Sequence, residues 1–315
     1  MNGKNTKVVI VGAGNVGAAA AFSIVQQGLC DEVVLIDQNK EKAEGEALDL
    51  RHSIFFMSRN VRVRAGNYRD CEDADIAVIT ASAPMDPNSD DRLKMLEMSE
   101  RIMESIVGSI MENHFSGILL VVSNPVDIMT YYAWKLSGLP KNQVIGSGTA
   151  LDTARMAGSV AELFEVDARS VDIYVIGEHG DSETVCWNSA AVGGKNLIDV
   201  MQDNSQRTGA MTPEELRKAT VQAGWEVFHR KGNTSFGIAA SVTSIVKAIL
   251  FDENRIYPVT VYLEGEYGLR DVYISVPTII NRTGAKEIVE IKLTEEEQRN
   301  LEVSVNIVKS YYKGL

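Results

Sequence analysis

The fold is decided near the N-terminus by the stretch Val8-Val9-Ile10-Val11-Gly12-Ala13-Gly14-Asn15-Val16-Gly17. Its four β-branched residues are typical of a strand that is buried on both faces, and the glycines after them have the spacing GxGxxG. In such a turn the first glycine permits the tight bend, the second lets the backbone approach a pyrophosphate, and the third lets the helix pack on the sheet. The N–H groups that open this helix would bind the phosphate anion.

A carboxylate at the end of the next apolar run strengthens this prediction. Asp37 lies 20 residues after Gly17, where it can accept hydrogen bonds from the hydroxyls of an adenosine ribose. Its charge would repel a 2′-phosphate, and Gln38 offers no compensating cation. The sequence therefore predicts NAD, and not NADP, as the cofactor.

The order of elements predicts an α/β protein with two domains. Over residues 1–147, apolar strands at 7–11, 32–37, 61–65, 75–81, 117–123 and 143–146 alternate with helices at 16–27, 40–51, 90–113 and 126–136. This alternation indicates a doubly wound parallel sheet, the Rossmann arrangement. Residues 148–315 read as an α+β substrate domain with helices at 152–164, 212–231, 238–250 and 294–312 and strands at 171–176, 256–263 and 272–280, and helix 238–250 could pack back on the first domain.

Composition narrows the class of partner. The 315 residues carry 31 Lys and Arg against 43 Asp and Glu, a net charge of −12, which argues against nucleic acid or a membrane surface as the main partner. The cysteines are widely spaced at Cys30, Cys71 and Cys186, as expected of reduced thiols in a cytoplasmic protein. No metal site is predicted.

His179 is the candidate acid–base residue. It stands in Gly177-Glu178-His179-Gly180-Asp181, just after a predicted strand, and an imidazole can exchange a proton with a carbinol at neutral pH. The other histidines, His52, His114 and His229, are expected to be structural or solvated.

Asp152 and Arg155 supply a carboxylate and a cation on one predicted helix. Their spacing of three places both side chains on the same face. From spacing alone, the pair is either an ordinary surface ion pair or part of a site in which Asp152 orients the histidine.

Four motifs in one order carry a resemblance to a family. They are Gly12-Ala13-Gly14-Asn15-Val16-Gly17, Ser123-Asn124-Pro125-Val126-Asp127, Leu151-Asp152-Thr153-Ala154-Arg155 and Gly177-Glu178-His179-Gly180-Asp181. With them the chain resembles the L-lactate/malate dehydrogenase family over essentially its whole length, and within it the bacterial L-lactate dehydrogenases. The resemblance implies NAD-dependent hydride transfer to pyruvate or a similar 2-oxo acid, in the cytoplasm, by a homotetramer.

The resemblance also implies a role for each matching residue. Arg155 would bind the substrate carboxylate, and His179, oriented by Asp152, would exchange the proton. Arg92 would polarise the carbonyl from a closing lid, and Asn124 would hydrogen-bond near the carbonyl and the nicotinamide. The other implied residues are Thr234 at the substrate, and Gly12, Gly14, Asn15, Val16, Gly17, Asp37, Ala81 and Ile238 at the cofactor.

The chain departs from the family pattern in its lid. Lactate dehydrogenases usually carry Gln where the substrate side chain is read, and malate dehydrogenases carry Arg. Here the register is ambiguous, so that either Met85 or Asp86 takes this position. Neither is a cation, and Asp86 would repel a second carboxylate, so malate is disfavoured.

Two further departures concern specificity and regulation. Ala223-Gly224-Trp225 replaces the more common Ala-Ala-Tyr, so Gly224, with Met85 as an adaptable lining, indicates room for a larger 2-oxo acid, as in L-2-hydroxyisocaproate dehydrogenases. The alternative is simple repacking without effect. The Arg and His of relatives that are activated by fructose 1,6-bisphosphate are replaced by Ala157 and Asp172, so no activation is expected.

Two other classes of protein remain to be tested. One is an NAD-dependent glycosidase, which would require a metal ion and therefore be sensitive to chelators. The other is a structural protein recruited from a dehydrogenase, which would show no turnover.

Overall fold

A parallel sheet forms the first part of the molecule, as the sequence predicts. The computed structural model describes residues 5–83, 92–206, 208–209 and 211–312. Its parallel strands are β1 (Lys7–Val11), β2 (Glu32–Ile36), β3 (Arg62–Ala65), β4 (Ile76–Ile79), β5 (Ile118–Val121) and β6 (Val144–Gly146), and the same sheet also contains three later strands given below. They follow one another in the order β6-β5-β4-β1-β2-β3, and each neighbouring pair is parallel.

Helices connect these strands, because parallel neighbours cannot be joined by a tight turn. They are α1 (Asn15–Gln26), α2 (Lys40–Ser53), α3 (Arg92–Met111) and α4 (Val126–Ser137). Every residue of β1, β4 and β5 is buried, which explains their unbroken apolar sequences. The strand order reverses between β1 and β4, and ligands of such sheets bind at the carboxyl ends of the strands at this point.

The remaining elements follow β6. The helices are α5 (Ala150–Phe164), α6 (Leu197–Asp203), α7 (Pro213–Lys231), α8 (Phe236–Leu250) and α9 (Glu295–Ser310). The strands are β7 (Val171–Asp172), β8 (Val175–Ile176), β9 (Thr184–Val185), β10 (Ala191–Val192), β11 (Lys195–Asn196), β12 (Arg255–Glu264), β13 (Arg270–Asn281) and β14 (Gly284–Ile288).

The chain divides into two compact units, each made of several segments. The first runs to Ser147 and then takes Ser235–Arg255 and Ile279–Glu287, so that it contains α8. The second consists of Gly148–Thr234, Ile256–Thr278 and the chain from Ile288 onward. A single boundary at residue 147 therefore marks only the first of several passages of the chain from one unit to the other.

The second unit has its own apolar core. Met156, Val160 and Phe164 of α5 pack there with buried residues of β7, β8, β9, α6 and α7. The predicted strand 171–176 is in fact two short strands, because β7 pairs with β10 whereas β8 pairs with β9. No single helix within the described ranges is both long and apolar enough to cross a membrane.

Candidate active site

The glycine turn joins β1 to α1 in the predicted way. The N–H of Gly12 donates to the Ile36 carbonyl of β2 at 2.7 Å, and Gly14 is the residue before the first turn of α1. Gly14 has no side chain with which to cap the helix, and among the described residues no atom beyond its chain neighbours lies within 4 Å of the place where its Cβ would be. The start of α1 is thus open to a ligand, and helix N-termini of this kind bind phosphate.

Gly12 and Gly17 are required by close packing. Gly12 has φ +107°, and a Cβ on it would lie 2.6 Å from the backbone nitrogen of Ala81. A Cβ on Gly17 would lie 1.9 Å from the Gly12 carbonyl oxygen. The Thr80 hydroxyl donates to the same carbonyl at 2.8 Å, a contact that sequence reasoning missed because a lone threonine at a strand end is not a distinctive signal.

Asp37 lies directly beside this turn. Its Oδ2 accepts a hydrogen bond from the Ala13 N–H at 2.8 Å, and its Oδ1 accepts one from the Asn39 N–H at 2.9 Å. These two bonds fix the carboxylate at the carboxyl end of β2, next to the turn after β1. The open helix start and this fixed carboxylate fit the pyrophosphate and the adenosine ribose of a dinucleotide.

The other residues expected at the cofactor belong to the same unit. The Ser123 hydroxyl bonds to the Ala81 carbonyl, which ties the residue before Asn124 to the end of β4. Asn124 itself is exposed and precedes Pro125 through a cis peptide bond. Ile238, on the first turns of α8, is partly exposed.

His179 and Asp152 form the hydrogen-bonded pair predicted for acid–base chemistry. Asp152 stands on the first turn of α5, and His179 lies in the loop between β8 and β9. His179 Nδ1 is 2.5 Å from Asp152 Oδ2, and the side chains are 27% and 8% exposed. The imidazole is therefore accessible, whereas the carboxylate that orients it is not.

Arg155 completes the cluster from the next turn of α5. Its Nη1 donates to Asp152 Oδ1 at 2.9 Å, and its side chain is 26% exposed. Burial by itself would raise the pKa of Asp152, but His179 and Arg155 outweigh burial and hold this pKa below its usual range. The pair is thus not an ordinary surface ion pair, because the same carboxylate also binds the histidine.

Gly224 lies beside the Arg155 guanidinium. A Cβ at this position of α7 would be 3.2 Å from Arg155 Nη1 and 3.3 Å from its Cζ. The glycine therefore lets the guanidinium lie close against α7, where a methyl group would require Arg155 to shift. Thr234, another expected substrate residue, is partly buried a few residues after the end of α7.

Glu183 is an electrostatic neighbour of the cluster that sequence reasoning missed. Burial, with a further contribution from the charge of Asp152, raises the pKa of Glu183 to about 8. The positive charges of His179, Arg217 and Arg155 oppose this shift without cancelling it. The available signal was an acidic residue four positions after His179, which is weak because loops are often acidic.

Three residues were expected in the lid. Met85 and Asp86 lie outside the described residues, and Arg92 is placed as the first residue of α3. Their predicted roles stay predictions.

Comparison with known proteins agrees with this geometry. Residues 6–146 match the family of lactate/malate dehydrogenase NAD-binding domains, and residues 149–314 match the corresponding alpha/beta C-terminal domains. The chain is 46% identical to L-lactate dehydrogenase 3 of Bacillus anthracis over 309 residues, 98% of each chain. It is 47% identical to L-lactate dehydrogenase 1 of Bifidobacterium longum, with the same coverage. The ligand-bound crystal structure of minor L-lactate dehydrogenase from Enterococcus mundtii superimposes with a TM-score of 0.93 at 41% identity, covering 97% of both chains.

Proposed function

The chain belongs to the lactate/malate dehydrogenase family, and from this premise we propose that it is an NAD-dependent L-lactate dehydrogenase. It reduces pyruvate or a similar 2-oxo acid and oxidises the corresponding L-2-hydroxy acid. The observation that carries the proposal is that the Asp152 carboxylate is hydrogen-bonded to both His179 and Arg155. This arrangement provides a proton donor and a carboxylate-binding cation within one cluster.

Each member of the cluster has a distinct part in the reaction. Arg155 binds the substrate carboxylate through its planar guanidinium, which can form two parallel hydrogen bonds. Asp152 keeps His179 Nδ1 engaged, so Nε2 is the ring nitrogen that exchanges a proton with the carbonyl oxygen. Because its pKa is held low, Asp152 remains ionised and stabilises the imidazolium before the proton leaves. Bound NADH supplies the hydride.

The first unit supplies the cofactor site. Gly12, Gly14 and Gly17, with Asn15 and Val16, form the turn for the pyrophosphate, and Asp37 receives the ribose hydroxyls. The fixed carboxylate of Asp37 supports NADH over NADPH, because a 2′-phosphate would meet a negative charge. Ala81, Asn124 and Ile238 are proposed contacts of the nicotinamide end.

A panel of substrates tests the proposal. We expect kcat/KM with NADH to be highest for pyruvate, to be much lower for oxaloacetate, and to fall sharply when NADPH replaces NADH. A chelator should leave turnover unchanged. Absence of turnover with every 2-oxo acid would refute the proposal and favour a recruited structural protein, whereas turnover that persists with the chelator would eliminate the metal-dependent glycosidase class.

A preference for larger 2-oxo acids is the second candidate function. It is supported by the absence of a side chain at Gly224, the position of α7 that lies against the Arg155 guanidinium. The same panel separates the candidates, since a higher kcat/KM for 2-oxoisocaproate than for pyruvate would identify an L-2-hydroxyisocaproate-type dehydrogenase.

We propose that fructose 1,6-bisphosphate does not activate the enzyme. Asp172 is an exposed carboxylate on β7 and Ala157 carries no charge, so neither residue attracts a phosphate. Pyruvate kinetics should be the same with and without the bisphosphate, and a lower KM in its presence would contradict this expectation.

A cytoplasmic homotetramer is the proposed state of the enzyme. Cys30, Cys71 and Cys186 are all buried free thiols, which suits a reducing compartment. The rings of Phe55 and Phe56, after α2, are 88% and 86% exposed, and a second copy of the chain would cover them. Sedimentation equilibrium should give four chains, and replacing both rings by serine should produce a smaller species.

A further inference from the structure

A hydroxyl in the C-terminal helix contacts the loop that carries His179. Ser304 lies on α9 and is fully buried. The backbone N–H of Glu178 donates to Ser304 Oγ at 2.6 Å, and the hydroxyls of Ser182 and Ser304 are hydrogen-bonded at 3.0 Å. The contacts therefore fall on both sides of His179, one residue before it and three residues after it.

These contacts belong to a closed ring of hydrogen bonds. The Ser182 hydroxyl also donates to the Glu178 carboxylate. A hydroxyl carries one proton and can accept two hydrogen bonds. Because Ser182 donates its single proton to the Glu178 carboxylate, Ser304 must be the donor in the hydrogen bond between the two hydroxyls. Ser304 therefore accepts from the Glu178 N–H and donates to Ser182. Each member of the ring is satisfied only when the others are in place.

The start of the loop is built around this hydroxyl. Gly177 has φ +95°, and a Cβ on it would lie 2.8 Å from Ser304 Oγ, so the hydroxyl occupies the space that a side chain would need. Gly177 is also bonded to Ser275 of β13 in both directions, at 2.9 and 3.2 Å. Pairing of β9 with β8 fixes the far end of the loop.

We propose that Ser304 is a positioning residue for the acid–base step, a role that rests on the proposed function of His179. The 2.5 Å contact between His179 and Asp152 depends on the position of the loop relative to α5. By binding Glu178 and Ser182 together, Ser304 holds the imidazole where Asp152 can orient it. Arg155 stands on α5 and not on this loop, so its hold on the substrate carboxylate does not depend on Ser304.

The test is Ser304→Ala in the full-length enzyme, with Ser310→Ala as the matched control. Ser310 is on the same helix but is exposed, and its hydroxyl donates to the Ile307 carbonyl of its own helix. We expect Ser304→Ala to lower kcat for pyruvate about tenfold or more while KM changes less than about twofold. Ser310→Ala should keep wild-type kinetics.

The pH profile separates positioning from a general loss of stability. A looser contact with Asp152 stabilises the imidazolium less, so the alkaline limb of kcat/KM should move to lower pH in Ser304→Ala. A kcat within twofold of wild type, or an unchanged limb, would overturn the inference. If wild type and Ser310→Ala both lack pyruvate reduction, the proposed function itself fails.

Ser182→Ala provides a second test that does not depend on a buried substitution. Ser182 is only partly buried, and its removal opens the same ring, so kcat should again fall several-fold. In the double variant the two effects should not multiply, because either change alone breaks the ring. An unaffected kcat in Ser182→Ala, or fully multiplicative effects in the double variant, would contradict the proposal. If Ser304→Ala does not fold, the kcat of Ser182→Ala alone still decides the question.

Discussion

At the scale of single residues, sequence reasoning identified the members of the cluster and, through the family resemblance, the pairing of Asp152 with His179. The order of motifs pointed to Asp152, Arg155 and His179, and the structure brings all three together. Glu183 and Ser304 were not found, because their importance depends on burial and on contacts between segments distant in sequence. The sequence does not show whether an acidic residue in a loop or a serine in a helix is exposed to solvent or buried.

Removing the imidazole is the most direct test of the acid–base assignment. His179→Ala should lower kcat by about 10²- to 10⁴-fold, which is the usual contribution of a positioned general acid. Affinity for NADH should not change, since the glycine turn and Asp37 are untouched. Steady-state kinetics and a fluorescence titration with NADH measure the two effects, and near-full activity would show that another group supplies the proton.

Glu183 gives a prediction about stability and pH. Because its pKa rises from 4.5 to about 8 on folding, the folded protein holds a proton at neutral pH that the unfolded chain has released. Its contribution to stability is present below about pH 4.5 and is lost as pH rises towards 8. Glu183→Gln should therefore gain stability relative to wild type between pH 5 and pH 8.

Urea unfolding of both proteins at several pH values measures this difference. The gap in the free energy of unfolding should widen with pH and level off above pH 8. A gap that stays constant over this range would show that Glu183 ionises normally in the folded enzyme.

Gly224 makes a prediction about specificity. The methyl group of Gly224→Ala would lie 3.2 Å from Arg155 Nη1, so the guanidinium would have to shift away from α7 towards the substrate. We expect kcat/KM for 2-oxoisocaproate to fall more than kcat/KM for pyruvate, by a factor within the ~10–200-fold range of one methylene group. An equal loss for both acids would show that the methyl only displaces Arg155.

At the scale of elements, long apolar or amphipathic segments were predicted well and short ones were not. The strands β1 to β6 fall within a few residues of the predicted ranges. For β1, β4 and β5 the reason is that burial on both faces leaves uninterrupted apolar runs, whereas the edge strand β3 contains two arginines and gives a weaker signal. The two-residue strands β9, β10 and β11 and the short helix α6 were missed, since so few residues show no periodicity. Their pairing depends on the second core and not on local sequence.

The start of α9 allows a prediction about one helix. Thr294 Oγ1 accepts from the Glu297 N–H at 3.2 Å, and Glu297 Oε2 accepts from the Thr294 N–H at 2.7 Å, a complete capping box. Thr294→Ala should lower the free energy of unfolding by about 1 kcal/mol. Urea denaturation checks the value, with Ser310→Ala, at the other end of the helix, as the control that should remain near wild type.

At the scale of the whole molecule, the residues proposed to bind the cofactor and those proposed to bind the substrate belong to different units. The glycine turn and Asp37 belong to the first unit, and Asp152, Arg155 and His179 belong to the second. Sequence reasoning predicted two domains because, after residue 148, the predicted strands become sparser and are mixed with long helices. It could not predict which later segments rejoin the first unit, because that depends on packing between residues far apart in the chain.

This division of roles predicts separable effects on binding. Arg155→Lys keeps the charge but loses the planar pair of hydrogen-bond donors, so KM for pyruvate should rise about 10- to 100-fold. The Kd for NADH should be unchanged, as measured by calorimetry. A parallel loss of NADH affinity would indicate that Arg155 also supports the first unit.

The interleaved path of the chain limits how this enzyme can be re-engineered. Each unit is assembled from three separate stretches, so neither can be cut out as one continuous gene fragment. A chimera that takes only the first 147 residues from a relative would retain this chain's own α8, and with it Ile238. Grafting a complete foreign first unit therefore requires Ser235–Arg255 and Ile279–Glu287 to be exchanged together with the N-terminal stretch.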